Sequence, residues 1–264
     1  IARRLAIEAS GMQRSPADIS NVVMAIKCGA SDTTSGMASN CVIGYVADRL
    51  VDLGATVVFG ETTEFIGGEH LLARRAVSKE VGDQIYTIVN KMEARAKSLG
   101  CDMRKGQPTP GNIAGGLSSI EEKSLGAIVK SGTKPIQGVL DYPERVTNQK
   151  GLWIKDTPGR EPEILTGMAA TGAQFMMFST GRGAPQGFPS MPVIKICGNP
   201  NTYERMEDDM DLNAGLIITG EKTIEQVGEE AFDKMIRTLN GEMTKNEAIQ
   251  YFSSIDIQCL GPVI

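Results

Sequence analysis

Imidazole and aromatic rings are scarce in this sequence. Its 264 residues include one histidine, His70, and Phe, Trp and Tyr together make up 5%. A site built on several imidazoles is therefore excluded, and a Ser-His-Asp triad could form only through His70. The five cysteines (Cys28, Cys41, Cys101, Cys197, Cys259) are widely spaced, and no pair forms Cys-x-x-Cys. Neither a disulfide framework nor a zinc ribbon is readable, and a reduced, cytoplasmic setting is expected. Apolar runs such as Val22–Ile26 fall far short of the ~20 residues that cross a bilayer, so no membrane span is expected. Basic blocks are missing too: 27 Lys and Arg stand against 32 Asp and Glu, a formal charge of -5, and nucleic acid is not an expected partner. No G-x-G-x-x-G opens the first helical stretch and no G-x-x-x-x-G-K-[ST] occurs, which argues against hydride transfer and ATP use.

What the sequence does contain is glycine, 30 residues of it, and a regular alternation of short apolar runs with amphipathic stretches. Residues 1–9 read as the end of a helix, closed by Ser10-Gly11 and followed by Ser15-Pro16. Residues 1–20 are expected to be the tail of an upstream region plus a linker, and residues 21–264 one α/β domain. Val22–Ile26, Thr56–Phe59, Leu152–Ile154, Gln174–Phe178 and Val193–Cys197 read as strands. Helical spacing links Val42, Ile43, Val46, Leu50 and Leu53, and again Val81, Ile85, Ile88, Met92, Ala96 and Leu99, in a helical stretch opening near Glu69-His70. Ser118-Ser119 before Glu121-Glu122, and Thr223 before Gln226, have capping-box spacing. Residues 163–171 and 245–252 also read as helical, and Gln107–Leu117, with two prolines and three glycines, reads as a loop. Strand–helix alternation of this kind predicts an α/β fold: a predominantly parallel sheet flanked by helices, Rossmann-like in its layers.

Four strand exits carry Gly-flanked polar segments: KCGASDTTSG, GETTEFIGGEH, STGRG and KICGN. In an open parallel sheet the carboxyl ends of the strands form the ligand crevice, so these loops, bearing Lys27, Asp32, Glu61, Glu64, His70, Arg182 and Lys195, are expected to converge on a small, oxygen-rich anion. A carboxylate at a strand end, as at Glu61, is costly to bury unless paired or bound to a cation. With His70 it makes an oxygen–imidazole donor set that suits iron, manganese or zinc. Arg182, between two glycines, has room to grip a carboxylate with both arms of its guanidinium. Cys28 and Cys197 read as small core residues or as ligands, and Asn112 as a turn residue.

Long segments carry a more specific signal. The chain resembles the carboxy-terminal part of the altronate/galactarate dehydratase family, which includes the sulfolactate sulfo-lyase large subunit. The resemblance lies in KCGASDTTSGMASN (27–40), GETTEFIGGEH (60–70), QPTPGNIAGGLSSIEEKSLGAIVKSGT (107–133), STGRGAPQG (179–187), PVIKICGNP (192–200) and DLNAG (211–215). It implies a sugar-acid or related hydroxy-acid lyase, a divalent metal (Fe2+ first, Mn2+ or another ion next) and an upstream domain or subunit that completes the site. The dehydratases tend to read KCGGSDGFSG where this chain has KCGASDTTSG, which looks closer to the sulfo-lyases; STGRG looks closer to the dehydratases.

Under this reading the reaction removes the proton alpha to a carboxylate and expels the beta hydroxyl, giving a 2-keto-3-deoxy acid. The expected catalytic residues are Lys27, His70 and Lys195; the expected substrate contacts are Ser31, Asp32, Thr33, Thr34, Thr180, Arg182 and Asn199; the expected metal ligands are Glu61 and His70. A carbon–sulfur lyase subunit, an iron–sulfur hydro-lyase and a non-catalytic assembly domain are the alternatives, and a homo-oligomer is compatible with each.

Overall fold

The computed structural model describes residues 1–147, 149–252 and 254–259; the carboxy-terminal end of the expected 21–264 unit lies outside them. Seven strands, β1 (Val23–Gly29), β2 (Thr56–Phe59), β3 (Ile136–Leu140), β4 (Gly151–Lys155), β5 (Phe175–Thr180), β6 (Val193–Cys197) and β7 (Leu212–Asn213), form one sheet in the order β3-β4-β2-β1-β5-β6-β7. Every pairing is parallel. The α/β class and parallel sheet expected from the sequence are what the structure shows. Strands covered on both faces read as continuous apolar runs, which is why β1, β2, β5 and β6 are visible in the sequence.

Alternate residues of β1 serve two cores. Met24 and Ile26 face the helices Asn40–Asp52, Lys79–Ser98 and Ile224–Leu239, packing with Val42, Val46, Ile85, Val227 and Met235. Ala25 faces the other way, toward Ile164, Leu165 and Met168 of the helix Glu161–Ala170 and toward Phe188. The helix Ala2–Ser10 buries none of its residues.

From β1 the chain moves to β2 on one side of the sheet, and later returns to β5 on β1's other side before building outward to β6 and β7. The order therefore reverses between β1 and β5, where Gly29 pairs with Thr180. A crevice opens at such a switch point, outside the carboxyl ends of the strands.

Several elements depart from the sequence expectation. The helical stretch opening at Glu69 is two helices, Glu69–Arg74 and Lys79–Ser98. Residues 75–77 between them pair with β3: Ile136 N–H donates to the Arg75 carbonyl (2.8 Å) and Val77 N–H to the Ile136 carbonyl (3.0 Å). Sheet hydrogen bonds thus take the groups a continuous helix would need. Within the expected loop 107–117 lies a short helix, Pro110–Ala114, with Thr109 and Asn112 closing a capping box and Pro110 at the first turn. Strand β3 carries Gln137 and Gly138 in its five residues and so gives no apolar run, and the two-residue β7 and the short helix Pro200–Arg205 are too brief to leave a periodic signal.

Candidate functional site

Glu61 stands one glycine beyond the end of β2 and adopts a left-handed backbone conformation, φ 70°, unusual for a residue with a side chain. Its N–H donates to Thr157 Oγ1 at 2.7 Å, and Thr62 N–H to the Thr157 carbonyl at 2.9 Å, which hold the turn. The carboxylate is buried between two buried ammonium groups, Lys27 Nζ at 3.1 Å from Oε1 and Lys130 Nζ at 2.6 Å from Oε2. Cys28 N–H also donates to Oε2, at 2.8 Å. Lys130 comes within 3.1 Å of Cys28 Sγ, and Lys27 donates to the Cys28 carbonyl at 2.9 Å.

Burial alone would raise the pKa of Glu61; the Lys130 and Lys27 charges outweigh it and hold the carboxyl below its ordinary value. Burial likewise opposes the charge on Lys27, but Glu61 and Glu161 outweigh it and the pKa is raised. Lys130 is raised in the same way, by Cys28 and Glu61. Burial, helped by the Glu61 charge, pushes the Cys28 thiol up to about 12. At neutral pH the cluster is two ammonium groups, one carboxylate and a neutral thiol.

A second knot ties the exits of β1 and β6. Asp32 Oδ1 accepts from Thr34 Oγ1 (2.7 Å) and Ser35 N–H (2.9 Å), and Oδ2 accepts from Asn199 Nδ2 (3.1 Å). Asn199 meanwhile caps the helix Pro200–Arg205 with its own oxygen. Thr33 donates its N–H and hydroxyl to the Gly115 carbonyl, both at 3.0 Å, and Asn112 Nδ2 donates to the Ser31 carbonyl at 2.8 Å. The glycine-rich loop can approach this closely because it lacks side chains: a Cβ on Gly115 would lie 2.6 Å from that of Asp32.

Above these knots lies a polar cleft of about 370 Å³, lined by residues from five sequence regions, among them Cys28, Ser31, Glu64, Lys123, Glu161 and Arg182. Arg182 is exposed and its N–H donates to the Ala30 carbonyl at 3.1 Å. Its guanidinium makes no hydrogen bond or ion pair among the described residues and lies where a Cβ on Gly111 would be, 2.0 Å from Nη1. Glu64 pairs with Lys123 at 3.3 Å through Oε1, while its Oε2 is buried without a hydrogen-bond partner.

Of the residues singled out from sequence, the structure brings Cys28, Ser31, Glu64, Asn112 and Arg182 to the cleft wall. Asp32, Thr34 and Asn199 bond to one another and Thr33 to Gly115, so they shape the rim. Thr180 is buried and accepts from Gly183 N–H at 3.0 Å. Lys27 sits beneath the cleft and is held charged, unsuited to removing a proton. Lys195 is buried on the same sheet face, its Nζ 5.8 Å from the Phe178 ring centroid and without a hydrogen-bond partner. Burial lowers its pKa to about 8.

The structure does not bring Glu61 and His70 together as a donor set. Glu61 has lysines on both oxygens, whereas His70 is exposed and lines a separate surface hollow with Arg74, Lys79 and Asp83. Among the described residues no three His, Cys, Asp or Glu are grouped to hold a metal ion. Among the described residues, then, this chain by itself completes no donor set for a divalent ion or an iron–sulfur cluster. Sequence reasoning missed Lys130, Lys123, Thr157 and Glu161. The basic and acidic residues among them lie in stretches that read as ordinary helix surface or cap, and nothing local marks them.

An all-parallel α/β domain with a polar cleft at its switch point defines a small-molecule site. Residues 19–259 match the family model described as D-galactarate/Altronate dehydratase, C-terminal, and the chain belongs to that family. It is 39% identical over 250 residues to (2R)-sulfolactate sulfo-lyase subunit beta of Chromohalobacter salexigens, across 94% of this chain and 64% of that protein. It is 39% identical over 242 residues to Galactarate dehydratase (L-threo-forming) of Escherichia coli, across 92% and 46%. Altronate dehydratase of Bacillus subtilis is 34% identical over 239 residues, across 90% and 48%. The chain thus spans between about half and two thirds of the length of these relatives. No helix among the described residues is long and apolar enough to cross a membrane.

Proposed function

We propose that this chain is the acid-binding part of a hydro-lyase that dehydrates a sugar acid of the altronate or galactarate kind to a 2-keto-3-deoxy acid. The observation that carries this reading is Arg182: a guanidinium without a partner at the wall of a polar cleft, in a chain of the dehydratase family. The substrate carboxylate binds Arg182 in a bidentate pair, and its hydroxyls meet Ser31 and the polar wall. Lys27 and Lys130, held charged below, lend a positive field that favours an anion. An upstream domain or partner subunit completes the active site. The resemblance also implies ferrous iron or another divalent ion, for which the described residues form no complete donor set.

The second reading, a carbon–sulfur lyase subunit acting on sulfolactate, is favoured by the 39% identity across 94% of this chain to a sulfo-lyase subunit. The test is an assay of the complete protein, with ferrous iron present, against altronate, galactarate, glucarate and sulfolactate. A 2-keto acid from a sugar acid is expected. Sulfite and pyruvate from sulfolactate would establish the second reading, and inactivity on every acid would overturn both. R182K, which keeps the charge but loses the fork, should raise KM for the acid by at least tenfold.

A further inference from the structure

We propose that Glu64 is the general base of this site, the group that takes the proton alpha to the substrate carboxylate; this rests on the hydroxy-acid lyase reading above. Glu64 lines the cleft together with Arg182, so an acid held by the guanidinium lies within the same walls as the Glu64 carboxylate. Its side chain is 12% exposed and its Oε2 is buried with nothing to accept from. Buried polar oxygens are almost always satisfied, so an unpartnered acceptor on a residue that lines a cleft marks a place for a ligand atom. Its other oxygen is held by Lys123 at 3.3 Å, and Lys123 is anchored in turn by donating to Gln107 Oε1 at 2.7 Å. The backbone is equally fixed: Glu64 N–H donates to the Glu61 carbonyl at 2.7 Å, and the following Phe65 and Ile66 are fully buried.

The other titratable groups around the cleft are engaged elsewhere or in the wrong state. Lys27 is an ammonium between Glu61 and Glu161, Cys28 is a neutral thiol, and His70 lies in a different hollow. Glu161 lies 3.7 Å from Lys27 through Oε1 and is 31% exposed. Arg160 pairs with Glu163 and Asp256. Glu64 alone combines a buried free oxygen, a fixed orientation and a place on the cleft wall.

The step balances without a further reactant. The bond from the alpha carbon to hydrogen breaks and the proton passes to Glu64 Oε2. The electron pair left behind forms the carbon–carbon double bond as the beta carbon–oxygen bond breaks. The departing hydroxide takes the proton back from Glu64 and leaves as water, and the enol becomes the 2-keto acid.

The test uses the complete enzyme with E64Q, E64D and K123Q, following turnover, KM and exchange of the alpha proton into deuterated water. E64Q should lower kcat at least 100-fold and abolish exchange, with KM changed less than threefold. E64D keeps the charge beside Lys123 but draws the oxygen back, and should lose kcat by tenfold or more. K123Q releases Glu64 Oε1 from its 3.3 Å pairing and should lower kcat by less than E64Q does. Wild-type turnover or exchange in E64Q, or wild-type kcat in E64D, overturns the proposal, as does a K123Q enzyme with the full defect of E64Q. If the unmutated enzyme turns over none of the four acids, the parent reading falls and takes this one with it; a Glu64 failure in an active enzyme leaves the parent reading standing.

Discussion

Glu61 Oε2 and Lys130 Nζ, 69 positions apart in the chain, meet at 2.6 Å with both side chains fully enclosed. Removing one member of a buried ion pair strands the other charge, which typically costs about 3–5 kcal/mol. E61Q strands Lys130 and leaves Lys27 only Glu161, at 3.7 Å. Its unfolding free energy in denaturant titration should fall by about that amount or more, and K130M, which leaves Lys27 to neutralise Glu61, should lose less.

The same cluster sets a pH window. Glu61 titrates below its ordinary 4.5 in the folded protein, so its contribution is present above that value and is lost as pH falls through the depressed one. Lys27 and Lys130 titrate above their ordinary 10.5, so theirs is present below 10.5 and is lost as pH rises through the raised values. Cys28, raised from 9 to about 12, withdraws stability as pH climbs past 9, so the contribution of the cluster should be flat only from 4.5 to about 9. In E61Q both limbs should weaken, as read from denaturation midpoints across pH.

Lys195 has the opposite sign. Its folded pKa of about 8 lies below the ordinary 10.5, so the unfolded chain binds more protons between these values and stability rises with pH across them. K195M should therefore stabilise the fold at pH 7, by on the order of 3 kcal/mol from the pKa difference. The gain should shrink from pH 8 and level off above 10.5. A gain over wild type no larger at pH 7 than at pH 11 would contradict this.

Two glycines of the cleft should respond differently to alanine. At Gly181 a Cβ would lie 1.9 Å from Asp32 Oδ1, and that carboxylate is locked by Thr34, Ser35 and Asn199; G181A should destabilise by about 1–3 kcal/mol. At Gly111 the Cβ meets only the flexible end of Arg182, which can swing away. G111A should leave stability within about 1 kcal/mol and raise KM for the acid severalfold, with kcat retained. Thermal melts and steady-state kinetics on both variants separate the two effects.

Much of the layer architecture was legible because its signals are local. A strand covered on both faces must be apolar throughout, so Met24–Ile26 and Val57–Phe59 announce themselves, and the capping pair Thr223 and Gln226 marks the start of its helix. Short elements such as β7 escape because two residues carry no period. The site was legible only as loops. Glu61 was read as a carboxylate that must find a cation. That requirement follows from the cost of burying charge, but the identity of the cation does not.

By itself the sequence determined the α/β class, the polar strand exits and the family, since each is written in contiguous residues. The tertiary structure alone decided which charges meet. It set Lys27 and Lys130 on Glu61, turned His70 outward, and lined one cleft with Glu64 and Arg182. Such pairings depend on sheet order and on the angle at which each helix crosses it, quantities summed over the whole chain. No single stretch of residues encodes them.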